Sequence, residues 1–213
     1  MSESDHIVYV VDDDARVCEA ICDLLAAVGI EAVSFGSLAA YTAFARPDLP
    51  ACLILDVELP DINGLEFQKR AAQADHPPIV FITGHGDIPS SVRAIKGGAV
   101  DFLTKPFADE ALLGAVRSAI AADRAAGRAR TDLAALRARL ATLTPREREV
   151  LPLVVSGLLN KQAAQELGIS ETTLEIHRGK IMRKMQAASL ADLVRIAGRL
   201  GIEVRHSRRT GAG

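Results

Sequence analysis

At 213 residues the chain is too long for one small domain and suits two compact ones of about 100 residues each. Its 49% hydrophobic and 24% charged content is that of a soluble globular protein, and no apolar run approaches the roughly 18 residues of a membrane span. The formal net charge of −2 conceals an asymmetry: residues 1–130 carry 11 Lys and Arg against 19 Asp and Glu (net −8), whereas residues 131–213 carry 14 against 8 (net +6), which suggests that the second half meets a polyanion.

The chain starts Met1-Ser2-Glu3-Ser4-Asp5, acidic and polar, unlike the basic and then apolar start of a signal peptide, so a cytoplasmic location is expected. Short apolar runs follow at Ile7–Val11, Glu31–Phe35, Cys52–Leu55, Ile79–Ile82 and Val100–Leu103, rich in Val, Ile and Leu as buried parallel strands are. Between them lie amphipathic stretches at Arg16–Val28, Leu38–Ala45, Gly64–Ala74, Ser90–Lys96 and Asp109–Ala122. Five β-α units imply an α/β fold with a doubly wound parallel sheet, covered by helices on both faces. Cys18, Cys22 and Cys52 sit in helix and strand patterns, and the histidines (6, 76, 85, 177, 206) are scattered. None of these shows metal-ligand spacing, and the thiols read as small core residues.

Residues 126–142 are rich in Ala, Arg and Leu and read as a helical linker, open to being continuous with the helix before it, with Leu133, Leu136, Leu140 and Leu143 either in a narrow seam or packed on the second domain. Thr144-Pro145 followed by Glu147 has the form of a helix start. Then Asn160–Leu167, Gly168-Ile169-Ser170 and Glu171–Met185 read as helix, tight turn, helix, with one more helix at Ser189–Leu200. Pro152 falls inside the first of these helices and is expected to kink or shorten it. Residues 205–213 read as a flexible tail.

In an open parallel sheet, chemistry gathers beyond the carboxyl ends of the strands. There the sequence places Asp12-Asp13-Asp14, Asp56, Thr83 and Lys105-Pro106. Clustered carboxylates without thiols or imidazoles suit a hard, oxygen-loving cation such as Mg²⁺, and a nearby Lys can hold a phosphate oxygen. The chemistry that fits is phosphoryl transfer to a carboxylate, with Asp56 as nucleophile. An Asp-based phosphohydrolase would want a second Asp two residues later, where Glu58 stands, and a large cap insertion that is missing. Gly84-x-Gly86 lacks the third glycine of a nucleotide loop, Pro89 falling there instead.

Val10-Val11-Asp12-Asp13-Asp14, Leu55-Asp56-Val57-Glu58-Leu59-Pro60-Asp61, Ile82-Thr83-Gly84-His85-Gly86 and Thr104-Lys105-Pro106-Phe107 resemble the receiver domains of two-component response regulators, of the FixJ/NarL type. The resemblance implies a flavodoxin-like (βα)5 receiver over residues 1–125. Asp56 would be the phosphoacceptor, and Asp12, Asp13, Asp56 and the Glu58 backbone carbonyl the Mg²⁺ ligands. It also implies Thr83 and Lys105 as phosphoryl contacts, Phe102 as an aromatic switch, and Glu58 and His85 as residues tuning dephosphorylation. Lys105-Pro106 would be cis, and Gly84 would leave phosphodonors a path to Asp56. The expected partners are a cognate sensor histidine kinase and a second copy of the chain, joined on phosphorylation through residues 88–122.

Leu143-Thr144-Pro145-Arg146-Glu147-Arg148-Glu149, Asn160-Lys161, Gly168-Ile169-Ser170 and Leu174-Glu175-Ile176-His177-Arg178 resemble the LuxR-type helix-turn-helix, over a domain at 143–204. That resemblance makes 171–184 the recognition helix and promoter double-stranded DNA the target, and it admits RNA polymerase as a further partner. Helical geometry independently puts Thr172, Ile176, Gly179, Lys180 and Arg183 on an arc opposite Leu174, Ile181 and Met185. Lys161, Lys180, Arg183 and Lys184 are expected to neutralise phosphates, and Ile176 to touch a thymine methyl. Glu175 either accepts from cytosine N4 or faces solvent or a neighbouring Arg. The expectation is a transcriptional regulator rather than an enzyme. A receiver acting only through protein contacts is the alternative, which a mobility shift with DNA would separate.

Overall fold

Successive side chains of a strand point to opposite faces, and in the first half of this chain both sets are apolar, so both faces of the sheet must be covered. The computed structural model describes residues 5–71 and 76–203. Its sheet consists of β1 (Ile7–Val11), β2 (Ala32–Phe35), β3 (Ala51–Asp56), β4 (Ile79–Thr83) and β5 (Asp101–Thr104), all parallel in the order β2-β1-β3-β4-β5. Every strand lies within one residue of its expected bounds. Tyr9, Val11, Leu53, Leu55 and Phe81 form one core with Leu38 and Tyr41 of α2 (Leu38–Ala43), Leu65 of α3 (Gly64–Ala71) and Ala94 of α4 (Ile88–Lys96). Val8, Val10, Cys52, Ile54, Val80 and Ile82 form the other with Cys18, Ile21 and Leu25 of α1 (Ala15–Ala27) and Leu112 and Val116 of α5 (Asp109–Ala141). This is the flavodoxin-like order, whose reversal beside β1 opens a crevice at the carboxyl ends of the strands.

Each fully buried Val, Leu or Ile contributes roughly 1.5–3 kcal/mol, so β1 and β3, buried along their whole lengths, hold their register firmly. Helix α4 starts at Ile88, two residues before its expected start, because Asp87 caps it by accepting from Ser90 N at 2.5 Å. Cys18 and Cys52 are buried and all three cysteines are free thiols. The last residues of the helix expected at 64–74, the tail at 205–213 and His206 lie outside the described residues.

The chain divides into two units, Met1–Arg128 and Ala129–Gly213. The boundary falls inside α5, so the helical linker expected at 126–142 is continuous with the last receiver helix. Its seam belongs to the second unit: Leu136 and Leu143 are buried in that unit's core, and Leu140 packs against it.

The second unit consists, beyond α5, of α6 (Pro145–Val155), α7 (Asn160–Leu167), α8 (Glu171–Met185) and α9 (Leu190–Arg199). Pro152 does not cut α6 short: the helix continues three residues past it. Only the bond to the Arg148 carbonyl is forfeited, so near the C-terminus, while Val150, Leu151, Leu153, Val154 and Val155 are all buried and hold the turn by packing. The start of α6 rests on Glu147. Its carboxylate, 2% exposed, accepts from Thr144 N at 2.8 Å and from Lys184 Nζ at 2.7 Å, and Thr144 Oγ1 accepts from Glu147 N at 3.3 Å. Burial alone would raise the pKa of Glu147; the Lys184 ammonium and the Thr144 N–H outweigh it and hold the carboxyl below its ordinary value.

Glu147→Ala removes a cap and a charged hydrogen bond together, and should destabilise the second unit by about 2 kcal/mol. Urea unfolding followed by circular dichroism checks this. Because a lowered carboxyl pKa stabilises above the unfolded value and is lost as pH falls through the folded one, the deficit should shrink in acid.

Candidate functional site

Val11 pairs with Leu55 across β1 and β3, so the next residues, Asp12 and Asp56, emerge side by side. Both are buried, at 1% and 4% exposure, and buried carboxylates require a cation or N–H donors. Lys105, just after β5, supplies the cation: its Nζ donates to Asp12 Oδ2 at 2.5 Å and to Asp56 Oδ1 at 3.1 Å. The remaining oxygens take backbone donors, Asp14 N on Asp12 Oδ1 at 2.9 Å and Glu58 N on Asp56 Oδ2 at 3.0 Å. Lys105 is itself placed by its N–H, which donates to Thr83 O at 2.8 Å, and the Lys105–Pro106 peptide is cis. Burial raises the Asp56 pKa, and the Lys105 bonds offset only part of that. Burial alone would lower the Lys105 pKa, but its bonds to Asp12 and Asp56 carry it above its ordinary value.

The expected acidic set is thus only partly assembled. Asp13 is exposed, and Asp14 is used as the N-cap of α1, accepting from Arg16 N at 2.9 Å. Among the described residues no three His, Cys, Asp or Glu side chains are grouped as a ready metal centre. The donor set nevertheless fits a hard cation: it is all oxygen, and its two buried carboxylates outnumber the one ammonium between them.

Thr83 is fully buried, and its Oγ1 donates to His85 O at 3.3 Å and accepts from His85 N at 3.2 Å. Glu58 and His85, both exposed, approach to 3.3 Å between Oε2 and Nδ1. Phe102 is half-buried, its ring centroid 6.3 Å from that of Phe81.

Two glycines here had no role assigned from the sequence. A Cβ at Gly64 would lie 2.6 Å from the Asp56 carbonyl oxygen, and Gly64 N donates to Val57 O at 2.9 Å, so this glycine lets the chain fold back over Asp56. A Cβ at Gly86 would lie 2.0 Å from Thr104 Cγ2, so the loop after β4 packs against β5 only because residue 86 has no side chain. At Gly84 a Cβ would meet nothing within 4 Å. Gly86 is a packing device, and no sequence spacing announces the partner strand.

In the second unit α7 and α8 are joined by Gly168, which ends α7 in the left-handed region at φ +64°, and Ser170, which caps α8 by accepting from Thr173 N at 3.1 Å. Leu174, Ile181 and Met185 are buried in the core. Thr172, Ile176, Gly179, Lys180 and Arg183 are exposed together on the other side, as is Lys161 of α7. Lys184 departs from its expected phosphate role: its ammonium is committed to Glu147 and to Thr142 O at 3.1 Å. Glu175 is exposed, but neither idle nor held by an arginine; Asn160 Nδ2 donates to its Oε1 at 3.1 Å.

Residues 8–117 match the response regulator receiver domain family, and residues 141–197 match the luxR family of bacterial regulatory proteins. The chain belongs to the two-component response regulators. It is 49% identical over 205 residues to nodulation protein W of Bradyrhizobium diazoefficiens, covering 96% of this chain and 90% of that one. It is 42% identical to the transcriptional regulatory protein FixJ of the same organism, covering 95% and 98%. Among solved structures, response regulator StyR is similar with a TM-score of 0.78 and 42% identity, covering 91% of this chain and 98% of that one. This response regulator therefore joins a receiver to a LuxR-type DNA-binding domain, and its family is regulatory, with a sensor kinase and DNA as partners. Receiver domains generally bind Mg²⁺ at the phosphorylation site. Among the described residues no helix is long and apolar enough to cross a membrane.

Because Asp56 has a raised pKa, its ionisation opposes folding: the receiver loses stability as pH rises from the ordinary carboxyl value, 3.8, through the folded one. Asp56→Asn should therefore melt higher than the parent near pH 7 in the presence of a chelator, and the difference should vanish below about pH 4. Differential scanning calorimetry at the two pH values reads it.

Proposed function

We propose that a sensor histidine kinase passes a phosphoryl group to Asp56, and that this controls binding of promoter DNA by α8. The observation that carries the reading is the pair of buried carboxylates sharing the Lys105 ammonium at the carboxyl ends of parallel strands. In the transfer the P–N bond of the kinase phosphohistidine breaks and a P–O bond forms to an Asp56 carboxylate oxygen. Burial makes Asp56 a poorly solvated and hence reactive carboxylate, and Lys105, already at bonding distance, exchanges Asp56 for a phosphoryl oxygen. Mg²⁺, held by Asp12, Asp13, Asp56 and the Glu58 carbonyl, would supply charge neutralisation to the phosphoryl oxygens.

The Thr83 hydroxyl, bonded among the described residues to the His85 backbone, would turn to the phosphoryl group. That draws in the loop which Gly86 packs against Thr104 and lets Phe102 move inward, remodelling residues 88–122 into a dimer face. Exposed Ile88, Val92 and Ile95 give that face an apolar stripe. Glu58 and His85, at the mouth of the site, would set how readily water reaches the phosphoryl group. In the second unit Thr172, Ile176 and Gly179 enter the major groove, with Lys161, Lys180 and Arg183 on phosphates. The protein works in the cytoplasm without an enzymatic activity of its own beyond its phosphorylation, and RNA polymerase is a further partner at the promoter.

Incubation with Mg²⁺ and acetyl phosphate should add one hydroxylamine-sensitive phosphoryl group, absent from Asp56→Asn and strongly reduced in Asp13→Ala. Equal labelling of Asp56→Asn sinks the assignment. Lys180→Ala and Arg183→Ala should each lower the salt slope of DNA binding by about one unit, measured by fluorescence anisotropy across a salt series. Lys184→Ala should leave that slope unchanged.

A further inference from the structure

We infer that Asn160 is a positioning residue that sets the base selectivity of α8 by holding Glu175. This rests on the reading of α8 as the DNA-facing helix. Asn160 opens α7, while Glu175 and Arg178 lie three apart on neighbouring positions of α8. The Asn160 carboxamide lies between them: Nδ2 donates to Glu175 Oε1 at 3.1 Å, and Oδ1 accepts from Arg178 Nη1. A carboxylate only accepts and a guanidinium only donates, so the two neighbours dictate which way the amide faces. Among natural side chains of this length only Asn can both donate and accept in that slot.

The consequence is for Glu175. An exposed glutamate ordinarily samples many rotamers and must surrender them on binding. Here one oxygen is tied down, while Oε2 has no partner among the described residues. Glu175 shares a helical face with Thr172 and Gly179, three residues before and four after it, and both are exposed. No Cβ at Gly179 stands in front of that face, and Arg178, on the far side of Asn160, tempers the repulsion between a carboxylate and DNA phosphates. A fixed acceptor in the major groove selects a base edge that presents an amino donor, for which cytosine N4 is the usual partner of Glu. Asn160 itself touches no base in this scheme.

The test is selection from a randomised double-stranded DNA library with the full chain, phosphorylated with acetyl phosphate and Mg²⁺, sequenced for the parent, Glu175→Gln, Asn160→Asp, and Asn160→Asp with Glu175→Gln, alongside melting temperatures. Asn160→Asp still accepts from Arg178, so the fold is retained, but it sets a carboxylate against Glu175. The parent should favour cytosine at one position of each half-site, and Glu175→Gln should abolish that preference. Asn160→Asp should weaken it about tenfold while the rest of the motif and the salt slope stay the same. The double variant, in which Gln donates back to the carboxylate, should regain a preference there. If Asn160→Asp lowers binding to all sequences equally, or leaves the cytosine preference intact, Asn160 only ties α7 to α8 and the inference is wrong. If the parent enriches no motif at all, the DNA-reading role of α8 fails instead.

Discussion

Two carboxylates buried side by side at the ends of adjacent parallel strands are the constraint around which the receiver is arranged. Neither the β1–β3 register nor the burial can be relaxed without losing the core, so the negative charge has to be answered locally. Lys105 gives that answer, and everything that positions it follows: the cis peptide to Pro106, the bond from its N–H to Thr83 O, and the close seat of the loop after β4 against β5. The same ammonium that neutralises the resting site is the group a phosphoryl oxygen would take over. Resting stability and the proposed phosphoryl transfer would thus draw on one interaction.

Most of the receiver was legible because its signals are periodic. Buried parallel strands read as short runs of Val, Ile and Leu, and the residues at their carboxyl ends can be counted off without knowing the fold in detail. The site residues that the structure brings together there, Asp12, Asp56, Thr83 and Lys105, came from that count. What escaped were contacts between distant positions. Nothing about Lys184 as a helix-end lysine tells that Glu147, 37 residues earlier, has claimed it. Nor does the spacing of Gly64 and Gly86 disclose that the Asp56 carbonyl and the Thr104 methyl would occupy the space of a side chain.

The helical half shows the limit of propensity. Pro152 argued for an interrupted α6, yet five buried neighbours in the same turns outweigh one missing hydrogen bond. The leucines at 133–143 admitted two readings, a connector seam or packing on the second domain, and only the burial of Leu136 and Leu143 in the core of the second unit decides for the latter. In both cases tertiary burial, invisible in a local window, decided the outcome.

Gly84 and Gly86 are the same residue two positions apart, and they offer opposite freedoms. At position 86 even a Cβ would drive into the Thr104 side chain of β5, whereas a Cβ at position 84 opens onto free space. On the proposed reading of Asp56, a bulkier residue at 84 would crowd the approach of phosphodonors while the contact of Gly86 with β5 stays in place. The lifetime of a phosphoryl group at Asp56 would then drift, or be engineered, apart from the loop packing that would transmit it.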